Sequence, residues 1–313
     1  MRLRTPSHTI EIVTTSEKLR DLPSVHVVLE RLAAHPSHYP HALLVAETRA
    51  VLDEMRRELL AGQSNGNSVE ERVLRVTLNR PEKRNALTLQ MCRDLAETLE
   101  RAGNDPAIGS VLLAARGEVF SAGMDLEEAL AGDAGEHAAV HERIFTTGAR
   151  LTVPVVAAVQ GPALGGGLGL VANAHVVVAA QGSSFGLTEI RLGMWPFVVF
   201  RAVALAIGER RALELGLTGR IIGTQEALAW GLAHEVAHAF ELEDRAFQIA
   251  SQIAAFSRDT IRRGMAFVRD SRGLDAAAAS RLAAEARKPV FEGPDFREGV
   301  AAFREKRQPR WGI

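Results

Sequence analysis

The chain has 313 residues, 47% of them apolar and 24% charged, enough to fill a large globular core without disulfide or metal staples. Its 37 basic and 38 acidic side chains nearly cancel and no Lys/Arg block stands out, so nothing asks for a nucleic-acid or membrane-surface partner. A single cysteine, Cys92, excludes an intramolecular disulfide and any CxxC metal cluster, and fits a protein of the reducing cytoplasm.

Residues 1–68 differ in character from the rest of the chain. They hold five of the ten histidines and end in Gly62–Ser68, GQSNGNS, a composition suited to a joint. The opening MRLRTPSHTIEIVTTSEK has no apolar stretch behind its basic residues, so no signal peptide is expected. Between these, apolar residues at helical spacing (Leu44, Val45, Val51, Leu52, Met55, Leu59) predict one amphipathic helix over His41–Leu60. The segment reads as a helical extension without an assigned role. His35, His38 and His41 recur every third residue, but Pro36 and Pro40 break any helix that would align them as metal ligands.

From Val69 onward strands and helices alternate. Arg72–Leu78 reads as a strand turned by Asn79-Arg80-Pro81, and Thr88–Ala102 as an amphipathic helix with Thr88 as its N-cap. Gly109–Ala114, Val153–Val159 and Ala174–Ala180 read as buried strands, with a glycine-opened helix over Gly165–Asn173. No Lys, Arg, Asp or Glu occurs between Leu151 and Thr188, yet Pro154, Gln160, Gly161-Pro162, Asn173 and His175 leave no clean apolar span of membrane length. This region is the expected buried centre. Ala202 onward is mostly helical. The pattern is α/β, with a core over residues 69–255 and a helical C-terminal region over 256–313.

The segment Val153-Pro-Val-Val-Ala-Ala-Val-Gln-Gly-Pro-Ala-Leu-Gly-Gly-Gly-Leu-Gly carries the first chemical signal. A buried strand enters a turn, and three glycines then open a helix, exposing backbone N–H groups to a ligand at the positive end of the helix dipole. Such a site suits a phosphate or a developing oxyanion. Gly167-x-Gly169-x-x-Ala172 also matches a relaxed dinucleotide fingerprint. The next strand ends in Ala180-Gln181-Gly182 without an acid to hold a ribose, which disfavours that reading.

Further segments occur in order: Leu78-Asn-Arg-Pro-Glu-Lys-Arg-Asn-Ala-Leu, Phe120-Ser-Ala-Gly-Met-Asp-Leu, Ala163-Leu-Gly-Gly-Gly, Phe185-Gly-Leu-Thr-Glu-Ile-Arg-Leu-Gly, Leu217-Thr-Gly-Arg, Ala227–Leu232 and Phe303-Arg-Glu-Lys-Arg-Gln-Pro. The series closely resembles the crotonase superfamily, the enoyl-CoA hydratases and isomerases, from about Val69 to Trp311. The resemblance implies a spiral of ββα repeats with a helical C-terminal trimerisation region, assembly as a homotrimer or dimer of trimers, and an acyl-CoA thioester substrate with no other cofactor. By motif position it places the thioester oxygen between the backbone N–H groups of Met124 and Gly166. It also implies CoA contacts from Arg80, Lys83, Arg84 and the backbone around Ala122, with Phe303 and Lys306 reaching the CoA of a neighbouring subunit.

Departures from the family pattern bear on the reaction. Hydratases of this family use two glutamates. Glu189 stands at the second position, but the first is Gly169. A lone carboxylate suits a proton shuttle from one carbon to another two away, as in 3-enoyl to 2-enoyl isomerases, if an apolar wall raises its pKa. Phe185, Leu187, Ile190, Met194, Trp195 and Phe197 are candidates for that wall. Single-glutamate relatives that hydrate and cleave hydroxycinnamoyl-CoA read a phenol with tyrosines, one of which would stand at Ala129, so a phenolic substrate is disfavoured. Trp195-Pro-Phe-Val-Val-Phe replaces the usual Pro-x-x-Gly-Gly and should narrow or reshape the acyl pocket. His175, where an aspartate is usual, is expected to be structural. His137/His141 and His234/His238 have helical i, i+4 spacing but no third ligand, and the first pair reads as a solvated face; no metal is expected. The expected activity is isomerisation, or hydration by a one-glutamate route, and the rival reading is a catalytically silent acyl-CoA-binding or partner protein.

Overall fold

The computed structural model describes residues 9–13 and 69–312; the helix expected over His41–Leu60 lies outside the described residues. The core is a six-stranded sheet. In spatial order its strands are β1 (Ile10–Val13), β2 (Val73–Leu78), β3 (Ser110–Ala115), β4 (Val155–Val159), β6 (Val176–Ala180) and β9 (Glu235–Ala237). All neighbours pair parallel except β1, which runs antiparallel along β2 with Ile10 opposite Leu78. This edge strand is not among the elements expected of the N-terminal segment. Four residues are too few for a periodic signal, and their partner lies more than sixty positions away.

Side chains alternate across the sheet with period two. Leu74, Val76, Val111, Leu113, Val155, Ala157, Val177 and Ala179 enter the larger core with α1 (Leu89–Asn104). Val73, Leu112, Val156, Ala158, Val178 and Ala180 face the other side, against α8 (Leu242–Ala254). Because both faces are covered at the centre of the sheet, β4 and β6 read as continuous apolar runs rather than alternating ones. Thr88 caps α1 as expected, its hydroxyl accepting from Met91 N–H at 3.1 Å. Ala246, Ala250 and Ala254 let α8 lie directly on the sheet, and Ser110 Oγ donates to the Ala250 carbonyl at 2.8 Å. Ala250→Leu is therefore expected to lower the free energy of unfolding by about 1–3 kcal/mol through overpacking, measured by urea titration.

A second, smaller layer turns the chain into a spiral. It comprises β5 (Ala163–Leu164), β7 (Ser184–Gly186) and β8 (Ile221–Gly223), extended by parallel bridges between Ser121 and Ala163 and between Leu87 and Met124. Each turn thus supplies a strand to the large sheet, a short stretch to the small one, and a helix. These helices include α2 (Leu126–Ala131), α3 (Ala134–Thr147), α4 (Gly166–Asn173) and α5 (Phe197–Ile207), then α6 (Glu209–Thr218) and α7 (Thr224–Trp230). The chain ends in α9 (Arg258–Asp270), α10 (Ala276–Glu292) and α11 (Pro294–Glu305). The expected strands and the glycine-opened helix are present within one or two residues of their sequence bounds. The stretch after Ala202 also contains β8 and β9, each three residues long. Among the described residues no helix is long and apolar enough to cross a membrane.

Candidate active site

The loop after β2 is fixed from within. Arg84 and Asn85 are both left-handed, with φ of 53° and 52°. Asn85 is fully buried, and its amide donates to the carbonyls of Arg116 and Val119 at 2.8 and 2.7 Å. Ser121 Oγ donates to the Asn85 carbonyl at 2.8 Å, tying this loop to the next. Leu87 N–H donates to Gly123 O at 2.7 Å and Asp125 N–H to Leu87 O at 3.0 Å, so the ladder bonds straddle Met124. In a parallel pair the intervening residue directs its N–H away from that partner. Met124 N–H has no protein acceptor among the described residues.

Asp125 holds the far side of this loop. One carboxylate oxygen caps α2 by accepting from Glu127 and Glu128 N–H at 3.1 and 3.2 Å, and the other accepts from Arg80 at 2.5 Å. Burial pushes the Asp125 carboxyl up, but the Arg80 and backbone hydrogen bonds outweigh it and hold it below the usual carboxylate range.

The second N–H comes from the junction of β5 and α4. Gly165 adopts φ +52°, ψ −118° and donates to Gly186 O at 2.9 Å, which turns the chain so that Gly166 opens the helix. Gly166 N–H is then one of the first-turn donors that the helix itself leaves free, at the positive end of its dipole. A Cβ on Gly123 would lie 2.9 Å from Leu164 O and 3.4 Å from Gly166 N. The two loops therefore touch, and Met124 and Gly166 border the same pocket of about 250 Å³.

Glu189 begins the 3₁₀ turn Glu189–Leu192 and lines this pocket. A Cβ on Gly165 would sit 3.1 Å from Glu189 Oε1, which sets the carboxylate beside the paired N–H groups. Oε2 is buried with no hydrogen-bond partner. Burial pushes the carboxyl above its ordinary range, only partly offset by a hydrogen bond from its own backbone N–H. Met194, Trp195, Pro196, Phe197, Val198 and Val199 supply much of the wall, so the bulky segment that replaces the usual glycines does border the pocket.

The position of the absent carboxylate is Gly169, on α4. A Cβ on Gly169 would be 2.6 Å from Val199 Cγ1 and 2.9 Å from the Phe145 ring, and one on Gly166 would be 3.1 Å from the same ring. The space is thus filled by apolar side chains. Val199 belongs to the Trp195–Phe200 segment that already stands out in the sequence, whereas Phe145 does not, its spacing marking it only as core. Introducing Gly169→Glu is expected to destabilise the fold by overpacking and charge burial, by about 1–3 kcal/mol or more, and to confer no added hydration. Thermal unfolding and product mass measure the two effects.

The histidines sort differently from their sequence reading. His137 and His141 are buried, not solvated: they share the inward face of α3 with Ile144 and Phe145. Helical spacing places them on one face, but only the packing of α3 decides whether that face meets water. His234 and His238 are not on a helix at all; they flank β9. His175 is structural as expected, its Nδ1 accepting from Val155 N–H at 3.0 Å, and burial, aided by Arg272, pushes its pKa down to about 4.

The residues expected to meet CoA divide three ways. Arg80 turns inward, bound to Asp125 and to the Ala86 carbonyl at 3.1 Å, which differs from the expected phosphate contact. Lys83 pairs with Glu127 at 3.1 Å on the surface, and Arg84 is exposed beside it. Ala122 lines the pocket. Phe303 and Lys306 are exposed on and just after α11 and do not line this protomer's pocket.

A spiral of strand–strand–helix turns defines a crotonase-type fold, and one pocket in it brings Met124, Gly166 and Glu189 together. The chain matches the Enoyl-CoA hydratase/isomerase family over residues 68–312 and belongs to that family. It is 33% identical to enoyl-CoA hydratase EchA19 of Mycobacterium tuberculosis, over 75% of this chain and 91% of that one. It is 32% identical to the mevalonyl-coenzyme A hydratase sidH of Aspergillus fumigatus, over 76% and 91% of the two chains. Among solved structures it is similar to an enoyl-CoA hydratase from Bacillus anthracis, with a TM-score of 0.72 and 32% identity over 77% of this chain and 95% of the other.

Proposed function

We propose that this enzyme moves the double bond of a 3-enoyl-CoA thioester to the 2-position. Glu189 takes a proton from C2, and the negative charge that develops on the thioester oxygen is met by Met124 and Gly166 N–H. The same carboxyl group then delivers the proton to C4, so the double bond passes from C3–C4 to C2–C3 with no net gain or loss of atoms. Two preorganised donors in a water-poor pocket stabilise such charge strongly, one alone being worth ~3–4 kcal/mol. The raised pKa of Glu189 suits a group that must both accept and return a proton near neutral pH.

The observation that carries this reading is Gly169 closed over by Phe145 and Val199. A two-carboxylate hydratase needs a second acid there to hold water, and this pocket offers hydrocarbon. Lys83 and Arg84, exposed on the loop after β2, are the proposed partners of the CoA phosphates. We further infer that α9–α11 join protomers into a trimer. No residue of α9 or α10 is buried, and Val268, Phe291 and Phe303 are exposed. Phe303 and Lys306 would then reach a neighbour's CoA.

Incubation with hex-3-enoyl-CoA, with chromatography and mass spectrometry of the products, tests the reaction. A product of unchanged mass and new retention is expected. Addition of one water would instead establish one-glutamate hydration. If CoA esters bind but do not react, the protein is a silent acyl-CoA-binding member of the family.

A further inference from the structure

The pocket holds a polar group that the proton shuttle does not use. Among the described residues, Glu189 and His141 are the only titratable side chains that line it. His141 is 92% buried, since 8% of its surface is exposed, and neither ring nitrogen is hydrogen-bonded to protein among the described residues. Its orientation is fixed by neighbours on the same face of α3. The His137 ring meets it edge-on at 5.8 Å between centroids, and the Phe145 ring lies at 6.0 Å on the next turn. His137 is itself sealed, with both ring nitrogens buried and unpartnered. A Cβ on Gly132 would lie 2.5 Å from His137 Nε2, so the α2–α3 turn closes against it.

Unlike those of His137, the His141 nitrogens are not among the sealed unpartnered atoms: they meet solvent in the open pocket, and the neighbouring rings offer them no hydrogen bond. We propose that His141 reads the acyl group: it hydrogen-bonds an oxygen substituent beyond the reacting carbons, so that the preferred substrates are hydroxy- or oxo-substituted acyl thioesters rather than plain hydrocarbon chains. Burial, and then the neighbouring His137, lower the His141 pKa, so the imidazole is uncharged at neutral pH. In that form one nitrogen donates and the other accepts, which serves both a hydroxyl and a carbonyl oxygen. A hydrocarbon chain would displace solvent from His141 and leave it unsatisfied. Pockets built around a buried polar group discriminate against the analogue that lacks the matching atom.

The inference rests on the acyl-CoA reading above, and the test separates the two. Two probes of equal chain length, 6-hydroxyhex-3-enoyl-CoA and hept-3-enoyl-CoA, are compared by kcat/KM. Their saturated counterparts, 6-hydroxyhexanoyl-CoA and heptanoyl-CoA, are compared by calorimetric Kd. The wild type is expected to favour the hydroxylated member of each pair by about tenfold or more. His141→Phe should lose at least ten times more on the hydroxylated probe than on the hydrocarbon one, and His141→Gln should recover part of the difference. Equal preference in the wild type, or an equal loss on both probes in His141→Phe, overturns the proposal and makes His141 a packing residue. A preference in Kd without turnover sustains the role of His141 while removing the isomerase. Failure of every CoA ester to bind removes both.

Discussion

Glu189→Gln is expected to lower kcat on a 3-enoyl-CoA by about 10²–10⁴, the range a positioned acid–base group supplies, with a much smaller change in KM. Gln keeps the shape of the side chain, so the loss would report proton transfer and not collapse of the pocket. Stability should move the other way. Folding raises the pKa of Glu189 because its carboxylate is buried with one oxygen unpartnered. Its contribution to stability is therefore fully present below the ordinary carboxylate pKa and is lost as pH rises through the folded-state value. The variant, which cannot ionise, should equal the wild type in acid and become the more stable of the two as pH rises toward neutrality. Urea titrations at several pH values measure this. In the wild type the acid limb of kcat/KM should lie above the usual carboxylate range near ~4.3. Unchanged turnover in the variant would remove Glu189 from the chemistry.

The second large effect is expected at Gly123, which lines the pocket but has no side chain to take part in the chemistry. Its φ of +94° disfavours any side chain, and a Cβ would meet the Leu164 carbonyl at 2.9 Å. Gly123→Ala must therefore push apart the two loops that carry Met124 and Gly166 N–H. Losing alignment of one donor should lower kcat by about 10²–10³, with binding of a saturated acyl-CoA little changed. Gly182→Ala is the control. That residue also has a positive φ, of +88°, but a Cβ there meets nothing within 4 Å. It should show the backbone penalty in its melting temperature and none in turnover. If both variants lose activity equally, the oxyanion assignment fails.

These residues come together through contacts of two kinds, local and distant in the chain. The order of motifs was enough to indicate the fold, because each motif marks a local event that neighbouring residues dictate. Thr88 caps a helix, three glycines open another, and apolar runs become strands covered on both faces. That Glu189, Met124 and Gly166 would border one pocket was legible for the same reason. Arg80 was not: the sequence shows a cation in a loop, whereas its direction depends on Asp125, forty-five positions away. His137 and His141 have a helical period that fits a wet face or a buried one equally well, and the packing of α3 chose the latter.

The family, the glutamate at position 189 and the glycine at position 169 could be read from the sequence alone, since these are identities at motif positions. What fills the space around Gly169 depends on how the helices pack. Phe145 comes from α3, Val199 from α5 and Gly169 from α4, three helices from different turns of the spiral that meet at one point. Steric exclusion is a property of such a meeting and of no single segment. The same holds for His141, whose buried imidazole becomes part of the acyl pocket because α3 packs beside the pocket with that face turned inward.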